Sequence, residues 1–445
     1  MKKTPSHRRL ALWSALPPYL GGKRRLCPLI FREVDRLLPR RLWSQRTFLD
    51  GFLGGGSVSL YAKAQGFRVV ATDIALRAIA VGDALIANSR VRLTREEILR
   101  LAADPGGPVT PIEAKLAPSV FTKTQARFLD RALSLADRTQ DKARAALYRL
   151  LAIRVALLAH PMSQIRAGTI HRLETGEYES ITESCLGQYV DGLRLTRPDR
   201  LWELAQQINA GVFEGEGEVR RESVLDALPS IEADVAYFDP PYPGVMSYEK
   251  EYRVIDALLE GSVRETSPFT ARDGAAMIDH LFGRAQHIAI WILSLGNAVV
   301  GIDELEAKMS RFGRATKAIE LAYQHIPAVA TEEKKRTNRE FLVVGWDEDA
   351  VGRLVATELP DRPRGIDLGH DPRSFIEEDP DVLGTEASSP QSLFEERADH
   401  RESPFAEQDA VGVGRTVAVN EGHRDDPHAV GTEAGVALQS EGRLG

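Results

Sequence analysis

Val235-Ala236-Tyr237-Phe238-Asp239-Pro240-Pro241-Tyr242 runs four apolar residues straight into a carboxylate, two prolines and an aromatic ring. The apolar run has the length of a fully buried strand, and Asp-Pro-Pro stops it, because proline lacks the N–H a ladder needs. Outward from it, Thr47 to Leu49, Arg68 to Thr72, Ile288 to Leu293 and Phe341 to Val344 repeat the short apolar pattern, with helical patterns between them. Such alternation predicts an α/β fold with a mainly parallel sheet covered on both faces and ligands at the carboxyl ends of its strands. From about residue 84 to 215 the alternation is interrupted by long helical stretches such as Ala143 to Ala159 and by arginine-rich loops. This reads as a largely helical inserted domain. The expected organisation is therefore 1–83 and 216–349 as two parts of one catalytic domain, 84–215 as the insert, and 350–445 as a tail.

The tail is distinguished by charge and by the loss of apolar periodicity. From Val351 to Gly445 there are 9 Arg, no Lys and 20 acidic residues, a net charge of −11, so the first 350 residues carry +4 within an overall −7. Rich in Gly, Pro, Ser, Asp and Glu, the tail cannot bury enough apolar surface to offset its ordering entropy, and a disordered acidic tail is expected. A mildly basic body is compatible with nucleic-acid binding. No apolar run reaches membrane-spanning length and the basic start lacks a signal-peptide pattern, so no membrane association and a cytoplasmic location are expected. Only Cys27 and Cys185 are present, without clustered histidines, which gives no support to a metal site.

Three stretches carry chemistry. Asp239 offers a carboxylate and Pro240 a carbonyl, both held by consecutive prolines, and together they suit the polarisation of an exocyclic amine whose lone pair is delocalised into an aromatic ring. Tyr242 adds an aromatic face for a base taken out of its stack; alone, the tetrapeptide also reads as a strand followed by a turn. Asp50-Gly51-Phe52-Leu53-Gly54-Gly55-Gly56-Ser57 is a strand-to-helix turn where glycine lets backbone approach a nucleotide-like ligand, without the Gly-x-Gly-x-x-Gly spacing of dinucleotide sites. Asp73, some 20 residues on, could accept from ribose hydroxyls or cap a helix. In Tyr19-Leu20-Gly21-Gly22-Lys23, the lysine can reach the carboxylate of an amino-acid-like cofactor with Tyr19 packed beside it, or be a solvated turn residue.

Taken together and in this order, these stretches resemble the DNA adenine methylase family of alpha-type amino methyltransferases, over roughly residues 15 to 85 and 215 to 346. The resemblance implies a Rossmann-like methyltransferase sheet, S-adenosylmethionine as methyl donor, and transfer to the N6 amino group of adenine in a specific double-stranded DNA sequence. It implies catalytic roles for Asp239, Pro240 and Tyr242, and cofactor contacts from Tyr19, Lys23, Asp50, Phe52, Gly54, Gly56, Asp73, Glu222 and Asp239. Family members often carry Trp in place of Tyr19. The segments around Trp291 to Asn297 and Thr337 to Glu340 also look like family segments. The insert then becomes the target-recognition domain, with Arg166, Arg172 and Arg194 foremost among Arg154, His171, Arg197 and Arg200 as groups suited to phosphates or guanine edges. A companion restriction endonuclease would fit such an enzyme. The rival readings are an RNA guanine or cytosine amino methyltransferase with the same tetrapeptide, a DNA-binding module that has lost catalysis, and a nicotinamide oxidoreductase, which the glycine spacing disfavours.

Overall fold

Side chains alternate across a strand, so each strand of a two-sided sheet must supply both faces. Five strands do so: β1 (Thr47–Asp50), β2 (Arg68–Asp73), β4 (Val235–Phe238), β5 (Ile290–Gly296) and β7 (Glu340–Trp346). Phe48, Val69, Ala71, Val235, Tyr237, Ile290, Ile292, Leu342 and Val344 enter one apolar core, while their neighbours Leu49, Val70, Ala236, Phe238, Trp291, Leu293 and Val343 enter a second. A computed structural model describes residues 12–19, 21–159, 190, 192–241, 252–260, 267–270, 274–296, 300–321, 339–357 and 359. All of them belong to one compact unit.

With β3 (Gly217–Arg221) and β6 (Ala315–Leu321), the strands form a seven-stranded sheet in the order β3-β2-β1-β4-β5-β7-β6. From β3 to β5 every pairing is parallel, whereas β7 runs antiparallel to both β5 and β6. The expected α/β fold with a mainly parallel sheet is present, and the antiparallel β7 makes the sheet mixed at one end. Sequence patterning missed β3 and β6 because both are edge strands: Gly-Glu-Val-Arg-Arg and Ala-Thr-Lys-Ala-Ile-Glu-Leu are only partly buried and carry the charges that protect an open edge.

The first core is covered by α1 (Cys27–Leu37), α2 (Ser57–Ala64) and α3 (Leu76–Gly82). Between β2 and β3 come α4 (Arg95–Ala102), α5 (Pro111–Leu116), α6 (Lys123–Arg138), α7 (Lys142–Ala159) and α8 (Pro198–Ala210). The second core is covered by α9 (Val224–Ala227), α11 (Gly274–Arg284) and α12 (Ile302–Ser310), and α10 (Arg253–Glu260) returns to pack on α3. Thr94 and Thr122 begin α4 and α6 with capping boxes closed by Glu97 and Gln125.

Helix α7 is basic and part-exposed at its start and almost entirely buried from Leu150 to Ala159. It packs on α6, on α3 and on the π-helical turn Asp83–Ala87, so the helical segment shares its apolar core with the sheet. Lys63 of α2 is fully buried and fastens that turn, donating to the carbonyls of Leu85 (2.9 Å) and Asn88 (2.7 Å). With no carboxylate bonded to it, burial lowers its ammonium to a pKa of about 7.

Two expectations are corrected. Residues 350 to 356, assigned to a disordered tail, continue α13 (Glu348–Ala356). Asp347 caps that helix by accepting from the Ala350 N–H at 2.8 Å; Ala350, Val351, Leu354 and Val355 pack against the first core, and the Arg46 guanidinium holds the Leu354 and Thr357 carbonyls. A short apolar stripe after the last strand was thus taken for tail composition; the residues after 359 lie outside the described part of the chain. Arg154, a candidate DNA contact, is buried in α7, where it donates to the Ser14 carbonyl and the Gln207 side chain at 2.7 Å each. It holds the N-terminal segment against α8.

Candidate active site

The register of the parallel strands brings their carboxyl ends together. Asp50 ends β1 opposite Tyr237, Asp73 ends β2 opposite Arg221, and Asp239 follows β4 directly. Three carboxylates therefore emerge at one edge of the sheet, around a cavity of about 380 Å³. That volume lies within the roughly 300–1,000 Å³ of small-molecule sites.

The glycine turn shapes the floor. Gly54 and Gly56 adopt positive φ of 49° and 79°, and a Cβ on Gly55 would lie 2.6 Å from the Cβ of Tyr19. Asp73 fixes the turn, since one carboxylate oxygen accepts the Gly54 N–H at 2.9 Å and the other the Ala75 N–H at 2.8 Å. Burial raises the Asp73 pKa, and those two amides work against the rise. Asp50 is 1% exposed and accepts from Ser59 Oγ (2.7 Å) and the Phe52 N–H (3.3 Å). Burial nonetheless lifts its carboxyl to about 7, with Asp239 and Asp73 adding repulsion.

Lys23 reaches this edge of the sheet from the segment before α1. Its side chain is 3% exposed, and Nζ sits 2.8 Å from each oxygen of the Asp239 carboxylate. It also donates to the Gly21 carbonyl at 3.3 Å and lies 3.6 Å from Glu340 Oε1. Ser57 anchors its backbone by accepting the Lys23 N–H at 3.2 Å.

Tyr19 stacks on Tyr252 with ring centroids 4.7 Å apart. The Arg77 guanidinium of α3 lies 4.6 Å from the centre of the Tyr252 ring and pairs with Asp256 of α10. Burial raises the Tyr19 hydroxyl pKa, against the attraction of Arg77. On the opposite wall Phe52 meets Phe269 edge to face at 5.1 Å.

Of the residues expected from the sequence, Tyr19, Lys23, Asp50, Phe52, Gly54, Asp73, Glu222 and Asp239 all line this cavity. Glu222 follows β3 and donates its backbone N–H to the Asp73 carbonyl at 3.1 Å. Gly56 lies behind the wall and begins α2, its own Cβ position 3.0 Å from Val81. Pro240 is buried, and Pro241 lines the cavity. Tyr242, Arg166, His171 and Arg172 lie outside the described residues. Arg194 is exposed, as are Arg197 and Arg200, which lie near Asp199 and Glu203.

Sequence reasoning missed Arg77, Asp256 and Phe269 at the cavity and Tyr252 stacked on Tyr19, and it gave no role to Ser294 and Glu340, which lie in the two further segments that resemble the family. Arg77 stands four residues after Asp73, one helical turn beyond it, which was the one clue available. Tyr252, Asp256 and Phe269 follow the tetrapeptide without any fixed spacing. Among the lining residues Asp50, Asp73, Glu222, Asp239 and Asp256 face Lys23, Arg77 and Arg221. The surplus of carboxylates favours a ligand that carries positive charge.

Residues 19–106 match the D12 class N6 adenine-specific DNA methyltransferase family. The chain is also similar to the Type II methyltransferase M2.HphI of Haemophilus parahaemolyticus, 27% identical over 340 residues that cover 73% of this chain and 95% of that protein. The family match contains the glycine turn, Asp73 and Arg77, and ends before α6.

Proposed function

We infer that this chain is a site-specific DNA methyltransferase of the D12 class, acting on the N6 amino group of adenine. The observation that carries the reading is the convergence of Lys23, Asp50, Asp73 and Asp239 on one cavity at the carboxyl ends of β1, β2 and β4. S-adenosylmethionine suits that cavity on three counts. The glycine turn leaves room that a side chain would fill. Asp73 keeps a second lone pair on each oxygen for ribose hydroxyls after serving two amides. The acidic surplus suits a sulfonium beside an ammonium.

In this proposal Asp73 holds the ribose, Glu222 and Phe52 the adenine end, and Tyr19 and Asp50 the methionine end. When bound, the cofactor supplies an electrophilic methyl group. The work left to the protein is to position the target amine and make it nucleophilic. Asp239 accepts one amine hydrogen and the Pro240 carbonyl the other, drawing the nitrogen toward tetrahedral geometry. The buried Lys23 orients the Asp239 carboxylate before substrate arrives. Tyr242 supplies a stacking face for a flipped adenine.

The helical segment between β2 and β3 is proposed to read the DNA, with Arg166, Arg172 and Arg194 on phosphates or guanine edges. Among the described residues no helix is long and apolar enough to cross a membrane. A cytoplasmic enzyme acting on double-stranded DNA, with a companion restriction endonuclease, belongs to the same proposal.

Single-molecule sequencing of DNA from cells expressing the protein, beside cells expressing Asp239→Ala, tests the reading. N6-methyladenine is expected in one sequence context with the wild type. In vitro, Asp239→Ala is expected to lower turnover about 100-fold or more, the cost of losing one preorganised acceptor. Absence of modified adenine with the wild type, or a variant retaining a tenth of the turnover, would refute it.

A further inference from the structure

Behind Lys23 lies a carboxylate that the methyl-transfer reading leaves without a task. Glu340 is 1% exposed and begins β7, the strand that runs antiparallel to β5. Because of that reversal its amino end pairs with Gly296, at the same sheet edge as the carboxyl ends of the parallel strands. Glu340 Oε1 accepts from Ser294 Oγ at 2.6 Å and lies 3.6 Å from Lys23 Nζ. Ser294 is fully buried on β5, so the acceptor is fixed from behind by a rigid strand. Glu340 is buried and is not among the residues that line the cavity.

We propose that Glu340, held by Ser294, is a positioning residue that sets the Asp239 carboxylate through the Lys23 ammonium. The physical reason is the number of partners. Lys23 bears three donors and pairs with two carboxylates, Asp239 at the cavity wall and the buried Glu340. Attraction from Glu340 on one side offsets that from Asp239 on the other, and this fixes where the ammonium comes to rest. A buried ion pair deprived of one partner loses that balance, and neighbouring groups shift to recover it. Without Glu340 the ammonium shifts toward Asp239 and the Gly21 carbonyl, and Asp239 turns with it and offers a poorer acceptor to the target amine. A misplacement of about 1 Å at a reacting group costs on the order of 100-fold in rate.

This inference rests on the methyltransferase reading for its activity assay, and a double-mutant cycle tests it at saturating cofactor. Glu340→Gln keeps the size of the side chain and an acceptor for Ser294 while removing the charge. Its kcat is expected to fall about 10- to 100-fold, while the S-adenosylmethionine dissociation constant stays within about 3-fold of wild type. In a Lys23→Met background the same change is expected to have no further effect on kcat, because its route is gone. A Glu340→Gln enzyme retaining more than about a third of wild-type kcat would overturn the proposal, as would a loss of equal size in the Lys23→Met background. Ser294→Ala, a smaller change, is expected to show the same pattern with a milder loss, and it serves where Glu340→Gln fails to fold. A crystal structure of either variant reads the geometry without turnover, and an unmoved Lys23–Asp239 pair would also overturn the proposal. An inactive wild type would sink the methyltransferase reading instead, leaving the crystallographic comparison to decide on Glu340.

Discussion

In the proposed site Asp50 offers a ligand a charge that the fold does not need, and its replacement by asparagine should separate the two. Its carboxyl rises from an ordinary 3.8 to about 7 because burial penalises the anion more than Ser59 and Phe52 stabilise it. A carboxyl with a higher pKa folded than unfolded binds its proton more tightly in the folded state. Its destabilising effect is therefore absent below about pH 4, grows as pH rises, and is complete above about 7. At 1.36 kcal/mol for each pH unit between the two values, the full effect is about 4 kcal/mol. Asparagine cannot ionise, keeps an acceptor for the Phe52 N–H, and can donate to Ser59 Oγ in place of accepting. Asp50→Asn should thus gain stability over wild type, with the gain larger by about 2–3 kcal/mol at pH 8 than at pH 5. Urea denaturation followed by tryptophan fluorescence at the two pH values measures it. A difference between the proteins that stays flat within about 1 kcal/mol across that range would refute the burial argument. Calorimetry with S-adenosylmethionine should show the cost of the gain, as weaker binding by the variant once a charge facing the cofactor's cationic end is lost.

Two further outcomes follow from the same geometry. Gly55→Val places branched carbon where a Cβ already lies 2.6 Å from Tyr19. It should push Tyr19 off Tyr252 and weaken cofactor binding at least about 10-fold, and unchanged affinity by calorimetry would show that the Tyr19 wall is not part of the site. Truncation after Leu359 should preserve methylation and thermal stability, whereas truncation after Asp349 should lower the melting temperature by removing most of α13 and the carbonyls that Arg46 holds. Equal melting temperatures for the two truncations would show that α13 contributes nothing to the fold.

How much of this could be read from the sequence depends on burial. The strands that carry Phe48, Val70, Ala236 and Trp291 are enclosed on both faces, so their apolar runs could hardly mean anything else. Polar edge strands β3 and β6 have no such signature, since one side faces solvent and the charge that guards it hides the pattern. Site residues follow the same division. Asp50, Asp73 and Asp239 were legible because each ends a recognisable strand, and chain direction alone puts those ends together. Glu340 sits at the start of a strand, and only the reversal of β7 brings it to the edge where the others finish. Arg77, Tyr252 and Asp256 meet through the packing of α3 on α10, a long-range event with no local trace.

That reversal also bears on why the site can gather so many carboxylates. Parallel strands deliver only their carboxyl ends, and here these present Asp50, Asp73 and Asp239 to a shared cavity, where Asp50 already resists ionisation. A further acid at the end of a parallel strand would face the cofactor directly and add to the repulsion. Glu340 instead enters from the antiparallel strand, outside the cavity lining, within 3.6 Å of the Lys23 ammonium that contacts Asp239. Its charge can act on Lys23 while the ammonium screens Asp239 from it. The switch from parallel to antiparallel at β7 thus lets the sheet place a carboxylate beside Lys23 without adding it to the cavity lining.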